Sequence, residues 1–554
     1  MEPLKKDLPS RRWFGLGVIL LVGLGLRVWG LQWGLPAKGP FFHGSSYHPD
    51  EIELFEGLRE LSWHRKQFYP TNLAMLSRGT LQIYLVGGAV GIAYPWLVIS
   101  RDREVYKKDP GALARLYLVG RAVSVAQSLA AIAALFWLGT LLANWRVGTG
   151  AAVLMAVAPI QVVNAHYIST DSAFCLYLIL LVIASYYIFK TATWQSYLTA
   201  GLLWGLLTAN KYNAASTGLI VFIAHFLSDS PKKSVRSLAA LVAVAGVVFF
   251  VSTPAVVFGF HDLRQALLHS YRINIGRRFL MYDGGYPANA VRFYCWDAGL
   301  YGLGLPLLLV CFAGVVYTAT HFSRVHWLWV PWAVVFLLML FQTGWRLVRW
   351  IMPLTPFLFL EAARLWDDAA LWRRWKPVRS VLTALALGYT TLYSCAYVQA
   401  MTTPDTRDLS SDWIAQHIPR GARIAMSDTP YFWTPTIFQS PYYHPDEAQA
   451  LRQERGYEMS YLLPSLEELW KADPTHVILT TYDIDVYLRN PTYYQTLPEG
   501  RYIAELLNPQ KYKVLAVFDK QLPPAGRAWF GNSFNYPHDW KYPFPRILIL
   551  GKSP

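Results

Sequence analysis

Charged residues are scarce in this sequence. Asp, Glu, Lys and Arg make up 15% of its 554 residues, against roughly 25% in ordinary soluble domains. Cysteine is scarcer still, with four in all: Cys175, Cys295, Cys311 and Cys395. Their spacing suits neither a disulfide framework nor a metal site. Most lie inside apolar runs, where cysteine is a small buried hydrophobe. Several chemistries lack their signatures. There is no G-x-x-x-x-G-K-[ST] loop, G-x-S-x-G elbow or H-E-x-x-H pair, which argues against phosphate-loop, serine-hydrolase and zincin mechanisms. No internal repeat or low-complexity tract stands out. A mean hydropathy of +0.24 excludes a disordered chain or a nucleic-acid-binding tail.

What is present is apolar sequence in span-length runs. A bilayer core takes about 20 apolar residues per helical crossing. Such runs occupy Trp13–Leu35, Leu81–Ile99, Tyr117–Leu142, Phe174–Phe189, Leu238–Phe258, Leu300–Thr320, Trp327–Phe341, Trp350–Leu365 and Val381–Ala400. Tyr197–Leu227 is too long for one span and is interrupted by Asn210-Lys211-Tyr212-Asn213, so it reads as a hairpin. Thr149–Ile160 is short enough for a re-entrant or interfacial segment that does not cross. Basic clusters orient the spans. Lys5, Lys6, Arg11 and Arg12; Arg101, Arg103, Lys107, Lys108 and Arg115; Lys232, Lys233 and Arg236; and Arg373, Arg374, Lys376 and Arg379 all fall on the cytoplasmic side of one self-consistent arrangement. It has about eleven crossings, the N-terminus inside and everything after residue 400 outside. Arg27 interrupts the first span and no A-x-A site follows, so that span reads as an uncleaved anchor. The expected fold is therefore a polytopic α-helical membrane protein (residues 1–400) in the cell membrane. It carries a C-terminal extracytoplasmic α/β domain (401–554).

That last part is polar and rich in Pro and Tyr. Arg423–Met426, His476–Thr480, Lys513–Phe518 and Arg546–Leu550 have the pattern of strands, and Leu409–His417 and Ser465–Lys471 that of helices. Ser465-Leu466-Glu467-Glu468 is a capping-box start.

Two outer loops are long, 36–80 and 259–299, and long loops are usually functional. The first holds Tyr47-His48-Pro49-Asp50-Glu51. Two readings compete for its acids. Pro followed by acids is a helix start, here of an amphipathic surface helix from Asp50 to about Lys66. Alternatively, the acids act on a substrate beside the bilayer. The string recurs as His444-Pro445-Asp446-Glu447, but only the first copy lies between the opening two spans. Asp171, at the outer mouth of the Phe174 span, is likewise a capping residue or a partner for a general base. The 259–299 loop is basic and aromatic, with Arg277 and Arg278 at its centre. Positive-inside bias does not account for those arginines, which suit either lipid headgroups or an anionic substrate. Lys211 in an apolar hairpin, and Arg346 and Arg349 before the Ile351 span, add cations at or near membrane depth.

Carboxylates able to take a proton and cations able to neutralise a phosphate thus share one membrane face. That combination suits group transfer from a membrane-soluble phosphate ester. A transporter or lipid flippase is the rival, but its inverted repeats are not seen. A membrane-anchored binding protein would need only one span.

The residues resemble the membrane glycosyltransferases of the GT-C fold, in particular bacterial and archaeal relatives of protein O-mannosyltransferases and lipid A aminoarabinose transferases (glycosyltransferase family 39-like). The resemblance rests on His48-Pro49-Asp50-Glu51, Thr170-Asp171-Ser172, Asn210-Lys211-Tyr212-Asn213-Ala214, Arg349 through Phe357, and Pro404 through Ile424. Trp350 departs from the family's tyrosine, and Ser77-Arg78-Gly79-Thr80 departs from its Pro- and Tyr-rich entry to the second span. The resemblance implies an inverting transferase with a polyprenyl-phosphate monosaccharide donor and a protein, lipid or glycan acceptor. No nucleic acid is implied. Asp50 is then the general base and Glu51 orients the site. Asp171 binds sugar, and Lys211, Arg277, Arg278 and Arg349 hold the leaving phosphate, with His48 and Tyr212 completing the substrate-binding set. A metal is not required where cations are at hand. Asp50, Glu51 and Asp171 nonetheless offer the oxygen ligands that Mg²⁺ or Mn²⁺ takes.

Overall fold

The computed structural model describes residues 10–36, 46–96, 105, 109–272, 274, 290–426, 432–439, 456–489, 491–520 and 536–553. The apolar runs become helices whose ends are set by local caps. α1 (Ser10–Val28) is followed in the chain by α2 (Pro49–Glu60), α3 (Leu73–Leu76) and α4 (Leu81–Ala93). α5 (Pro110–Leu142) begins with Pro110 in its first turn and the Asp109 carboxylate accepting from Gly111 N–H. α6 (Trp145–Val157) begins at Asn144, whose side chain accepts from the N–H groups of Arg146 and Val147. α7 (Pro159–Asn164), α8 (Thr170–Thr191) and α9 (Trp194–Asn210) follow. Next come a 3₁₀ turn (Tyr212–Thr217), α10 (Gly218–Leu227), α11 (Val235–Ser252) and α12 (Phe260–Tyr271). The bundle closes with α13 (Ala298–Leu303), α14 (Leu305–Thr320), α15 (Val330–Phe341), a 3₁₀ segment (Val348–Leu354), α16 (Thr355–Asp367) and α17 (Lys376–Thr402). α12 and α13 place helix at both ends of the segment expected to be an open 259–299 loop.

Contacts between neighbours fix the helix directions and correct two expectations. Arg12, near the start of α1, lies 5.2 Å over the Trp145 ring at the start of α6. Near the other end of α1, Arg27 donates to the carbonyls of Met155 and Ala156 at 3.2 and 2.9 Å. α6 therefore runs parallel to α1 over the same depth, and Thr149–Ile160 is not a shallow dip. Pro159 splits this passage into α6 and α7, and each piece alone is too short to read as a span. α5 and α6 meet closely at Gly148, where a Cβ would stand 2.4 Å from the Phe136 carbonyl oxygen.

α4 departs in the opposite sense. Gln82 and Gln127 exchange amide hydrogen bonds at 3.4 and 3.1 Å, while Val86 faces Gly120 and Leu58 faces Gly87. α4 is thus antiparallel to the first half of α5, lies against α2, and leads away from the Arg12–Trp145 end. It belongs to the loop expected to stop at Thr80. Arg115 lies at the α2 end, opposite to Arg12 and Trp145, since its neighbours Leu113, Ala114 and Leu118 pack with Leu54, Phe55 and Leu58. That contradicts its assignment to the same side as Arg12. α5 has 33 residues, about 50 Å of helix against a hydrocarbon layer of about 30 Å, so its first turns stand clear of such a layer. Arg101, Arg103, Lys107 and Lys108 lie outside the described residues. The two corrections offset each other in the expected count of crossings.

After α17 comes α18 (Thr406–His417), then a five-stranded sheet in the order β2-β1-β3-β5-β4. β1 (Arg423–Met426) pairs in parallel with β2 (Glu458–Tyr461) and β3 (His476–Thr480). β5 (Ile547–Lys552) is antiparallel to β3 and to β4 (Tyr512–Phe518). The four expected strands and both expected helices are present; β2 is additional. The aromatic residues Phe432, Trp433, Tyr482, Tyr536, Trp540, Tyr542 and Phe544 join the core of the helical bundle, not that of the sheet.

Candidate active site

The first turn of α2 places Asp50 and Glu51 side by side, and they do different work. His48 is the residue before the helix and makes no side-chain cap. Asp50 accepts from Arg78 Nη1 at 2.6 Å and from Arg349 Nη1 at 2.5 Å. Burial alone would raise its carboxyl, but Arg349 and Arg78 outweigh burial and hold it far below the usual carboxylate range. Its side chain keeps 14% of its surface exposed and Arg78 keeps 33%, so the pair opens to the outside. Arg78 also bonds Glu53 at 2.7 Å.

Glu51 is enclosed. Arg121 grips it through two bonds, Nε to Oε1 at 2.8 Å and Nη2 to Oε2 at 2.7 Å. Ile168 N–H donates to Oε1 at 2.9 Å, and the Ser46 hydroxyl donates to Oε2. Arg121 Nη1 also holds the Leu31 and Trp33 carbonyls. With its oxygens taken, Glu51 is a fixture that ties α2 to α5, to the end of α1 and to the chain before α8.

Asp171 lies in the first turn of α8, which Ser169 opens with no side-chain cap. Instead of capping, Asp171 accepts from Lys211 Nζ at 2.8 Å. Asn210 donates to Thr170 O at 2.9 Å, pinning the Lys211 turn to the same helix start. Gly79, at φ +130°, closes the circle: a Cβ there would lie 2.5 Å from Asn210 O. The Arg78 turn therefore rests on the Lys211 turn, and glycine is required at the contact. The charges of Asp50, Asp171 and Asp539 all act on Arg349, so the two acid–cation pairs belong to one site.

His48 is buried, stacked on Tyr167 (4.1 Å between centroids) and met edge-on by Tyr542 (4.8 Å). Its ring nitrogens have no hydrogen-bond partner among the described residues. Burial pushes its pKa down to about 4, so it stands neutral at pH 7. Tyr212 is directed elsewhere. Its ring packs on Phe249 and beside Leu76, Ala255 and Leu263, with its hydroxyl unbonded among the described residues. Arg277 and Arg278 lie outside the described residues, as does His444-Pro445-Asp446-Glu447. The helix from Asp50 to about Lys66 is shorter than expected, because it ends at Glu60 and a Ser62–Gln67 bridge turns the chain back.

Arg78, Arg121 and Asp539 are the site residues that sequence reasoning missed. Arg121 had a signal, an arginine inside an apolar run. Arg78 stood in view only as a departure from a family pattern. Asp539 had none. As for a metal, Asp50, Glu51 and Asp171 each face a cation of their own, and no three ligating side chains converge among the described residues.

No family model matches this chain, and no curated protein matches it. Solved structures do. ArnT from Cupriavidus metallidurans, solved bound to undecaprenyl phosphate, aligns over 98% of this chain and 98% of its own at 13% identity, with a TM-score of 0.50. The oligosaccharyltransferase of Archaeoglobus fulgidus, tethered with an acceptor peptide, aligns over 92% of this chain and 72% of its own (12% identity, TM-score 0.48). The S. cerevisiae Pmt1–Pmt2 complex, bound to the sugar donor, aligns over 47% and 35% (13% identity, TM-score 0.31). The likeness to ArnT shows that this chain has the GT-C fold.

Proposed function

We propose that this chain is an inverting glycosyltransferase that moves a monosaccharide from a polyprenyl-phosphate donor to an acceptor hydroxyl at the outer membrane face. The observation that carries the reading is Asp50, partly exposed between Arg78 and Arg349 and beside the Asp171–Lys211 pair. Asp50 takes the proton of the acceptor hydroxyl as that oxygen bonds to the anomeric carbon. The bond from that carbon to the phosphate oxygen breaks, and its electron pair leaves on the phosphate. Arg78, Arg349 and Lys211, with Arg277 and Arg278 from the 259–299 segment, neutralise the growing charge. Asp171 holds sugar hydroxyls, and neutral His48 offers an unspent donor and acceptor.

Two arginines serve both the base and the phosphate. Without donor they rest on Asp50 and make it a weak base. A donor phosphate competes for them, and the carboxylate they release becomes basic enough to act. Proton transfer is thereby tied to an occupied donor site. A polyprenyl carrier is adopted because ArnT, which shares the fold, was solved with undecaprenyl phosphate. With these cations in place no metal is called for, and a chelator should leave the rate unchanged.

In the membrane arrangement that accompanies this reading, the N-terminus and Trp145 face the cytoplasm. The chain crosses about eleven times, through α1, α5, α6 with α7, α8, α9, α10 with its 3₁₀ turn, α11, α13 with α14, α15, α16 with its 3₁₀ segment, and α17. The site and the sheet then lie outside the cell membrane.

The test is sugar transfer in membranes carrying Asp50→Asn. Loss of a general base should lower the rate by about 10²–10⁴-fold, with the protein folded and inserted as before. Full activity overturns the reading. Movement of labelled lipid across liposomes with no new glycosidic bond points to a flippase instead.

A further inference from the structure

The 3₁₀ segment that presents Arg349 has an incomplete start. Leu347, the residue before it, provides no side-chain cap, and the first N–H groups of any helix lack partners within it. Here the partner comes from 190 residues further along the chain. Asp539, in the 3₁₀ turn His538–Trp540 that precedes β5, accepts from Val348 N–H with one oxygen and from Arg349 N–H with the other, both at 3.0 Å. Its negative charge also suits a helix N-terminus.

The stretch around Asp539 is firmly seated. Trp540 Nε1 donates to the Tyr393 hydroxyl at 2.9 Å, and the Tyr397 hydroxyl donates to Trp540 O at 3.1 Å. Arg407 holds Tyr542 O at 3.0 Å, and Tyr542 in turn meets His48. Asp539 is buried, and its two backbone bonds fix the peptide from which the Arg349 side chain reaches Asp50.

We infer that Asp539 is a positioning residue for Arg349, so that the part of the chain carrying the sheet completes the phosphate-holding site of the helical bundle. The inference rests on the function proposed above, in which Arg349 receives the lipid phosphate.

Binding of undecaprenyl phosphate to the purified full-length protein tests both in separable ways. Asp539→Ala should weaken binding about tenfold, the size of one lost charge-assisted contact. Asp539→Asn keeps one acceptor and should lose less. The discriminating variant is the double one. If Asp539 acts through Arg349, Arg349→Gln/Asp539→Ala should bind no more weakly than Arg349→Gln alone. Losses that multiply in the double variant overturn the inference, as does wild-type affinity in Asp539→Ala. Should Asp539→Ala fail to fold, Asp539→Asn carries the same cycle, and wild-type affinity there overturns the inference equally. A folded wild-type protein that does not bind undecaprenyl phosphate refutes the lipid-phosphate reading itself, and the role of Asp539 falls with it.

Discussion

Asp50 is proposed as a base while two arginines hold it, and pH can resolve that tension. The acid limb of kcat/KM reports the free enzyme and that of kcat the substrate complex. With Arg349 and Arg78 outweighing burial, free Asp50 is deprotonated far below the ordinary carboxylate range. The kcat/KM profile should therefore show no carboxylate limb above about pH 4. In the complex the phosphate draws the arginines away, so the limb in kcat should appear at higher pH. Coincident limbs measured across pH 4 to 8 contradict a shared pair of arginines.

Glu51 differs from its neighbour by enclosure, because both it and Arg121 are fully buried. Glu51→Ala strands a buried guanidinium and should cost about 3–5 kcal/mol of stability, seen as a lower thermal midpoint in detergent. Asp50→Asn should shift that midpoint far less. As candidates, Lys211 and Arg349 were legible as ionisable residues at or near membrane depth, Asp50 as an acid in a long outer loop, and Asp171 as an acid at the mouth of an apolar run. The division of labour between Asp50 and Glu51 was not legible, since adjacent acids look alike until their partners are known.

At the level of the helices, one break shapes the bundle. Pro159 has no N–H to give Met155 O, and Ala158 leaves the helical conformation at ψ 126°. Arg27 replaces the lost donor, bonding Met155 O, Ala156 O and Gly23 O, with Ser128 on its Nε. An arginine that seemed only to interrupt the first span is thus the cap for a broken helix against it. Arg27→Leu leaves two carbonyls unpartnered and should cost about 2–5 kcal/mol, measured again by thermal unfolding in detergent, with Arg27→Lys intermediate. Helix caps such as Asp109 before Pro110 are local and were open to reading. The α6–α7 break is also local, set by Pro159, but its remedy was not open to reading, because Arg27 reaches the freed carbonyls only once α1 lies alongside.

Across the whole molecule, the sheet-bearing part is not an independent attachment. Asp405 pairs with Arg407, which is fully buried, and the Arg407 guanidinium lies 3.9 Å over the Tyr47 ring. The Tyr47 hydroxyl bonds Asp408 at 2.6 Å. The string that begins at Tyr47 and carries Asp50 is therefore anchored on α18. An isolated 401–554 fragment would expose the Phe432, Trp433, Tyr536, Trp540 and Phe544 surface that the bundle covers. It should lack a cooperative unfolding transition and bind no lipid phosphate; a stable, active fragment contradicts this.

The sequence by itself determined that the chain is built of apolar helices, four of them among the described residues long enough to cross a membrane, followed by a sheet-bearing part, and which few charges had to be explained. Those features depend on composition and on residues a few places apart. Only the tertiary structure decided that α6 with α7 spans the bundle where α4 does not, that Arg78 joins Arg349 on Asp50, and that Asp539 supports Arg349. Each of these depends on groups brought together from distant parts of the chain, where a charge or an orphan N–H finds its partner by packing and not by spacing.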